Sequence, residues 1–459
     1  MTTLSRTLTR LAWSAIGGDP SSADEVIFTG PGGLKSVFAV TDLASAAVAT
    51  AALSVAELIR SAHGQSILIG VDRRLSSMWF GLSIRPLGWS LPALWDPIAG
   101  DYRARDGWIR LHTNAPHHRA AAERVLGAQG GKEAVARAVA SWSKTELESA
   151  VVEEGGCAAE MRSIDEWAQH PQGLAIANEP LIHVVPTTPG PTPRWTVPAN
   201  RPLEGLRVLD LTRVLAGPVA SRFLAGYGAD VLRIDPPGWD EPGVVPEVTL
   251  GKRCARLDLR NAADQVVFEA LLSTADVLLH GYRPSALGAL GFGAAQRRKL
   301  SPGLIDVCLD AYGWLGPWAM RRGFDSLVQM STGIADCGMR RLQAEKPTPL
   351  PVQALDHATG YLMAAAAIRG ITGRLRRGGG CEVRFSLART AKLLIDHGSN
   401  HQDPPLLAET QADHSPAIEA TDWGQAQRLA PPALVSGAPI GWYHPARNLG
   451  SAVPRWQDG

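Results

Sequence analysis

Leu203-Glu-Gly-Leu-Arg-Val-Leu-Asp-Leu-Thr-Arg-Val-Leu-Ala-Gly-Pro218 decides the fold class. Residues 206–211 form a short apolar run of strand type, and Ala216-Gly217-Pro218 reads as a turn. Residues 219–227 then have helical spacing, with Val219, Phe223 and Leu224 on one side, and Gly228 stops them. A second strand is predicted over 230–235, and further strands over 277–279 and 304–309, each preceded by a helix-like segment. Strands that alternate with helices predict a parallel sheet with right-handed crossovers.

Upstream of this block the chain reads differently. Residues 106–111 resemble a strand entered from a turn, and helical patterns follow at 117–126 and 133–142, which predicts a smaller α+β unit. Between the two lies a proline-rich stretch, residues 186–202, whose prolines remove backbone donors and favour an extended linker. A second soft stretch, 397–433, is rich in Asp, Gln and Pro without clear periodicity and reads as loop.

The two parts share a repeat. Residues 37–53 align on 351–367, so that Asp42 falls on Asp356, an offset of 356 − 42 = 314. Each is an Asp just before an Ala-rich helix, followed by a Gly-containing turn and a β-like run (67–71 and 383–387). Two Ala-rich helices with Asp caps would give the same pattern without duplication.

Bulk composition excludes several classes. The 459 residues suffice for two or more cores. Lys+Arg is 45 against Asp+Glu 44, so no global field draws nucleic acid or anionic lipid, and an anionic ligand needs a local cluster. Five scattered cysteines without a CxxC pair suggest reduced thiols in a cytoplasmic protein and no zinc site. The N-terminal apolar patch is shorter than a secretory core, and the apolar stretch 37–59 carries Asp42 and Glu57, so neither an export signal nor a membrane anchor is expected.

For chemistry, the turn at 213–218 opens a helix, whose N-terminus can face an anion or a thioester carbonyl. It lacks GxGxxG, which speaks against a dinucleotide-dependent oxidoreductase, although Asp235 sits where a ribose-binding acid would. Gly251-Lys252-Arg253 and Arg283 supply cations beside strand ends; such groups bind phosphates, and single ones more often serve as solvated surface charge.

Taken together these pieces resemble the class III CoA-transferases, the family of formyl-CoA and carnitine CoA-transferases. The resemblance is carried, in the family's order, by residues 203–218, Gly228-Ala-Asp-Val-Leu-Arg-Ile-Asp235, Gly251-Lys-Arg-Cys-Ala-Arg-Leu-Asp-Leu259, residues 275–287, Tyr312-Gly-Trp-Leu-Gly-Pro317, Arg322-Gly-Phe-Asp325 and the Asp356 helix with Gly378-Gly-Gly380. Residues 106–111 and 155–171 resemble the family's smaller domain but precede the rest. The resemblance therefore implies an α/β protein: a Rossmann-like parallel-sheet domain plus a smaller α+β domain, built from fused partial copies. Residues 1–185 form a copy keeping the Asp helix and small domain, 186–202 the linker, and 203–459 a copy keeping the CoA-binding region. Family members are interlocked dimers, so the chain is expected as a homodimer or an intrachain pseudo-dimer.

The activity implied is transfer of coenzyme A from an acyl-CoA to a carboxylic acid, through a mixed anhydride and a thioester on an aspartate, with no tightly bound cofactor. Asp356, in Gln353-Ala-Leu-Asp-His-Ala-Thr-Gly360, matches the nucleophile, with Asp42 as its repeat-related alternative. Arg213, Leu215 and Ala216 are expected near the thioester, and Lys252, Arg253, Tyr282 and Arg283 on coenzyme A. The acyl pocket is expected to draw on Trp108, His112, His117 and His118. Acyl-CoA racemases share the fold and use a His where this chain has Phe324, which cannot carry a proton. A catalytically silent CoA-binding scaffold is the rival from another class, favoured if Asp356 faces away from the cleft.

Overall fold

A computed structural model describes residues 3–127, 130–187, 195–283, 285–397 and 403–457. Its centre is a seven-stranded sheet: β1 (His183–Pro186), β2 (Arg207–Leu211), β3 (Asp230–Asp235), β4 (Lys252–Arg256), β5 (Val277–His280), β6 (Ile305–Asp310) and β7 (Cys381–Ser386). The order is β4-β3-β2-β5-β6-β7-β1. All neighbours are parallel except the edge pair β7–β1. From β2 onward this is the doubly wound 3-2-1-4-5-6 order. The strands are buried apolar runs because helices cover both faces. The predicted strands are present, each within a residue or two of its expected ends.

Five helices position the site: α1 (Val40–His63), α2 (Ala216–Gly226), α3 (Asp325–Ser331), α4 (Ala354–Arg377) and α5 (Leu387–His397). The longest two, α1 and α4, are almost wholly buried and pack on each other, and α4 packs also on α2. Small residues permit the close approach. A Cβ on Gly360 of α4 would lie 2.3 Å from the Ala216 carbonyl oxygen and 2.8 Å from Val219 Cβ. Gly360→Ala is therefore expected to push α4 off α2 and to cost ~1–3 kcal/mol, as overpacking does, measured as a lower denaturation midpoint.

The repeat is visible in the element order. The bounds of α1 and α4 differ by 354 − 40 = 314 and 377 − 63 = 314. Each is followed by a strand, Ile69–Asp72 and β7, and by a helix, Arg73–Trp79 and α5, which start 387 − 73 = 314 apart. The two parts exchange edge strands. Residues ahead of the linker supply β1 to the central sheet, and Ala433–Val435 adds to Ile69–Asp72 in a three-stranded sheet. One apolar core contains both Val48 and Leu53 of α1 and Val219 and Tyr361 of the second part. Helix α1 is long and apolar enough to cross a membrane, yet 94% of its apolar window is buried in this core.

The predicted α+β unit is present as the sheet Gly100–Ala104, Gly107–Leu111, Ala158–Glu160 with its own core of Ile109, Val135, Leu147 and neighbours. A smaller cluster of Cys157, Met161, Leu327 and Met330 fastens it to α3. Two expectations change. The linker begins within β1, where Pro186 pairs with Cys381, and its residues 188–194 lie outside the described ones. The stretch 397–433, read as loop, contains the hairpin His414–Thr421 and Gly424–Leu429, whose second strand pairs with Ile84–Pro86. The first strand is largely exposed on both faces, so no alternation announced it; residues 398–402 of that stretch are outside the described ones.

Candidate functional site

In a doubly wound sheet the ligand crevice opens where successive crossovers leave in opposite directions, beyond the carboxyl ends of the strands. Here that point lies between β2 and β5. A cavity of about 410 Å³ occupies it. The loop after β2 contributes Arg213 and Val214, the loop after β5 contributes Tyr282 and Arg283, and the first turn of α2 contributes Ala216 and Gly217. Asp356 of α4 forms part of the wall, and His117, His118 and Arg322 close the side toward the α+β unit.

The β2–α2 turn is built for this place. Val214 has φ 65°, a left-handed conformation that a β-branched residue adopts only under constraint. Its amide donates to Glu241 Oε2 at 2.9 Å. Gly217 has no room for a Cβ, which would lie 2.2 Å from Thr212 Cβ. The turn thereby aims the N-terminus of α2 at the cavity without the glycine fingerprint of dinucleotide folds. Asp235 is not a ribose ligand: Arg233 holds it at 2.8 Å, both side chains fully buried.

Arg213, Arg283, Arg321 and Arg322 line the same cavity as Asp356. Arg213 lies over the rings of Trp239 and Tyr282, at 4.5 and 5.4 Å, and donates to the Tyr282 hydroxyl. Arg322 donates to the Gly155 carbonyl. Neither these two nor Arg283 has a carboxylate partner among the described residues. Arg322 and Arg213 both act on His117, whose ring is held neutral by burial and then by these charges. Burial, followed by Arg322, also lowers the Arg283 pKa. Arg321, by contrast, is engaged with Glu148 and stacked on Trp318.

Asp356 is 7% exposed, and its carboxylate has no hydrogen-bond or ion-pair partner among the described residues. Burial, and then the charge of Asp325, raise its pKa well above the ordinary carboxylate range. Asp42 is different. It is fully buried, accepts from Ser5 Oγ and lies 3.3 Å from Arg73 Nη2. It does not reach the cavity. Arg73 opens the helix after the strand Ile69–Asp72, and Leu387 opens α5, the corresponding helix 314 residues later, and lines the cavity. The same scaffold thus neutralises one aspartate and leaves the other bare. Asp42→Asn is expected to cost ~1–3 kcal/mol of stability, read by denaturation, and to leave the chemistry of Asp356 unchanged.

Of the other predicted residues, Arg213, Ala216, Tyr282 and Arg283 line the cavity and Leu215 sits just behind as the N-cap of α2, its carbonyl accepting the Val219 amide. Lys252 and Arg253 do not line it. Lys252 is 1% exposed, its Nζ 3.1 Å from Asp210 and 3.0 Å from the Pro218 carbonyl, and burial lowers its pKa to about 8. Arg253 makes a two-pronged contact with Asp230 and donates to the Arg455 carbonyl. Both charges lie on β4, two strands away from the switch point. His117 and His118 line the cavity, while His112 lies behind Phe324, the rings stacked at 3.7 Å. Trp239, Arg322, Asp310 and Asp325 were not among the predicted site residues. Only the segment 322–325 carried a signal, as a family fragment.

Residues 203–419 match the model of CoA-transferase family III. Probable fatty acyl-CoA transferase Rv3272 of Mycobacterium tuberculosis is 34% identical over 192 residues, 39% of this chain and 48% of that protein. Succinyl-CoA:glutarate CoA-transferase of Mus musculus is 30% identical over 210 residues, covering 42% and 47%. Succinyl-CoA--D-citramalate CoA-transferase of Chloroflexus aurantiacus is 30% identical over 209 residues, covering 43% and 52%. The chain thus spans about half the length of the curated relatives it matches. The solved structure of Rv3272 is 32% identical, covers 43% of this chain and 58% of that one, and superposes with a TM-score of 0.40, so the fold assignment rests on sheet order and sequence.

Proposed function

We propose, for a chain whose residues 203–419 match the model of CoA-transferase family III, transfer of coenzyme A from an acyl-CoA to a carboxylic acid with Asp356 as the nucleophile. The observation that carries this reading is the unpartnered Asp356 carboxyl in the wall of a cavity that Arg213, Arg283 and Arg322 also line, none of them with a carboxylate partner among the described residues. A thioester with a polyphosphorylated handle needs both a nucleophile and cations. Arg213, Arg283 and Arg322 take phosphates, with bidentate geometry available to each.

The steps balance as follows. Asp356 attacks the thioester carbon and expels CoA thiolate, giving a mixed anhydride. The thiolate attacks the aspartyl carbonyl and releases the donor carboxylate, leaving an aspartyl-CoA thioester. The acceptor carboxylate attacks that thioester, and the freed thiolate then attacks the acyl carbonyl, which yields the new acyl-CoA and restores Asp356. A carboxylate is both nucleophile and leaving group, so one hard exchange becomes several easier ones. The N-terminus of α2, at Ala216 and Gly217, faces the cavity and favours the oxyanions. Because Asp356 must be ionised and its pKa is raised, the first step should speed up as pH rises beyond the usual carboxylate range.

Racemisation is not supported: Phe324 stands in the wall, and His112 is buried behind it with its pKa lowered by burial. A silent scaffold is less supported because Asp356 faces the cavity. The matching bounds of α1 and α4 support a fusion of two partial copies paired within one chain, for which light scattering should give the mass of one chain. The five cysteines are unpaired with one another, which supports a reducing, cytoplasmic setting.

The test is incubation with acetyl-, propionyl-, succinyl- and longer acyl-CoAs, addition of hydroxylamine, and location of the modified peptide by mass spectrometry. A hydroxamate on Asp356 is expected. The mark on Asp42 would move the site to the first copy. No mark despite CoA binding would favour the scaffold, and no CoA binding would sink the reading.

A further inference from the structure

Asp325 opens α3, and its side chain lies fully buried beneath the first turn of α4. Its Oδ2 accepts the Asp356 amide at 2.9 Å, and the Leu355 amide bonds it as well. Its Oδ1 accepts from Gln329 Nε2. Gln329 Oε1 accepts the Leu350 amide at 2.6 Å, on the segment that leads into α4. Gln353, the N-cap residue of α4, makes no side-chain cap. Asp325 therefore supplies, from another helix, the acceptor that the first amides of α4 lack.

A neutral Asn or Ser would cap those amides equally well. A second buried carboxyl beside the reactive one is unfavourable unless its charge is used, because like charges in a dry site repel. The charge of Asp325, whose carboxylate holds the Asp356 amide, adds to burial in raising the Asp356 pKa. Arg110, on the strand Gly107–Leu111, acts in turn on Asp325. Two further titratable neighbours are turned away, while His117, His118, Asp310 and the arginines of the cavity share its wall with Asp356. His357, next on α4, stacks on Phe80 at 5.2 Å, and His112 stacks on Phe324.

We propose that Asp325 is a positioning residue for Asp356: it anchors the first turn of α4 through the amides of residues 355 and 356 and holds a negative charge behind the nucleophilic carboxyl. The inference rests on the reading of Asp356 as nucleophile. Its physical sense is that a more basic carboxylate attacks a thioester faster once ionised, while a fixed first turn keeps the carboxyl within attack distance.

The test uses the full chain with Asp325→Asn and Asp325→Ser, which keep an acceptor for the amides and remove the charge. Two readouts are followed against pH: the first burst of CoA thiol release from an acyl-CoA, and labelling of the Asp356 peptide by a carbodiimide with glycinamide, which requires a protonated carboxyl. In both variants the acid limb of the burst should move to lower pH, and Asp356 labelling should cease at lower pH than in the wild type. The plateau rate should fall ~10-fold or more where the acceptor is misplaced. Folded variants whose limb and labelling coincide with the wild type would reduce Asp325 to a cap. Failure of both variants to fold would make it a purely structural carboxylate. No transfer by the wild type would sink the nucleophile reading, while the labelling comparison would still decide the role of Asp325.

Discussion

Asp356→Asn should lower CoA transfer by ~10⁴-fold or more and abolish hydroxylamine trapping at that position, as removal of a covalent nucleophile does elsewhere. Binding of coenzyme A should persist, because Arg213, Arg283 and Arg322 are untouched and, among the described residues, no arginine bonds the Asp356 carboxyl. The variant should also fold well. A carboxyl whose folded pKa is raised favours the native state at low pH and disfavours it as pH climbs above the unfolded value. Asn has no charge to bury, so the variant should match the wild type in acid and exceed it in stability toward alkaline pH. Equilibrium denaturation at two pH values checks this, alongside an assay of acyl transfer. Loss of activity together with loss of stability would instead indicate a structural role.

Glu247→Gln should be the most damaging single change to stability, at about 3–5 kcal/mol, because it strands buried guanidiniums. Glu247 is 1% exposed. It pairs with Arg222 of α2, lies 3.0 Å from Arg428 of the C-terminal hairpin, and accepts from Ser83 Oγ at 2.8 Å and from the Ile84 amide at 3.1 Å. One carboxylate thus joins three chain segments on either side of the linker. Burial pushes its pKa up, but Arg222, Arg428 and the hydrogen bonds outweigh that and hold it at about 2. For a depressed carboxylate the stabilisation is present above the unfolded value, 4.5, and is lost as pH falls through about 2. Acid denaturation of the wild type should steepen over that range, and the Gln variant should lack this component. An unchanged acid profile would show that the network contributes nothing net.

Local sequence determined the sheet and singled out Asp356 as the candidate nucleophile. Residues 206–211, 277–279 and 304–309 are largely apolar runs, and 230–235 carries Val231, Leu232 and Ile234, all covered by helices on both sides, so strand and crossover are largely written into hydrophobicity. The repeat at an offset of 314 was likewise legible, since two long Ala-rich helices need small side chains to pack closely. Tertiary structure alone decided which charges are free. Gly251-Lys252-Arg253 reads as a basic cluster, yet Asp210 and Asp230, 42 and 23 residues away, take both charges into the fold. Asp42 and Asp356 look alike in sequence, and only the packing of Arg73 against one and Leu387 near the other separates them. Asp325 gave no sign of its place under α4, because the contact joins residues 31 apart through backbone amides that every residue carries. Hydrophobic patterning is a property of neighbouring residues and survives in one dimension; whether a charge is paired depends on partners that only the folded chain brings within a few ångströms.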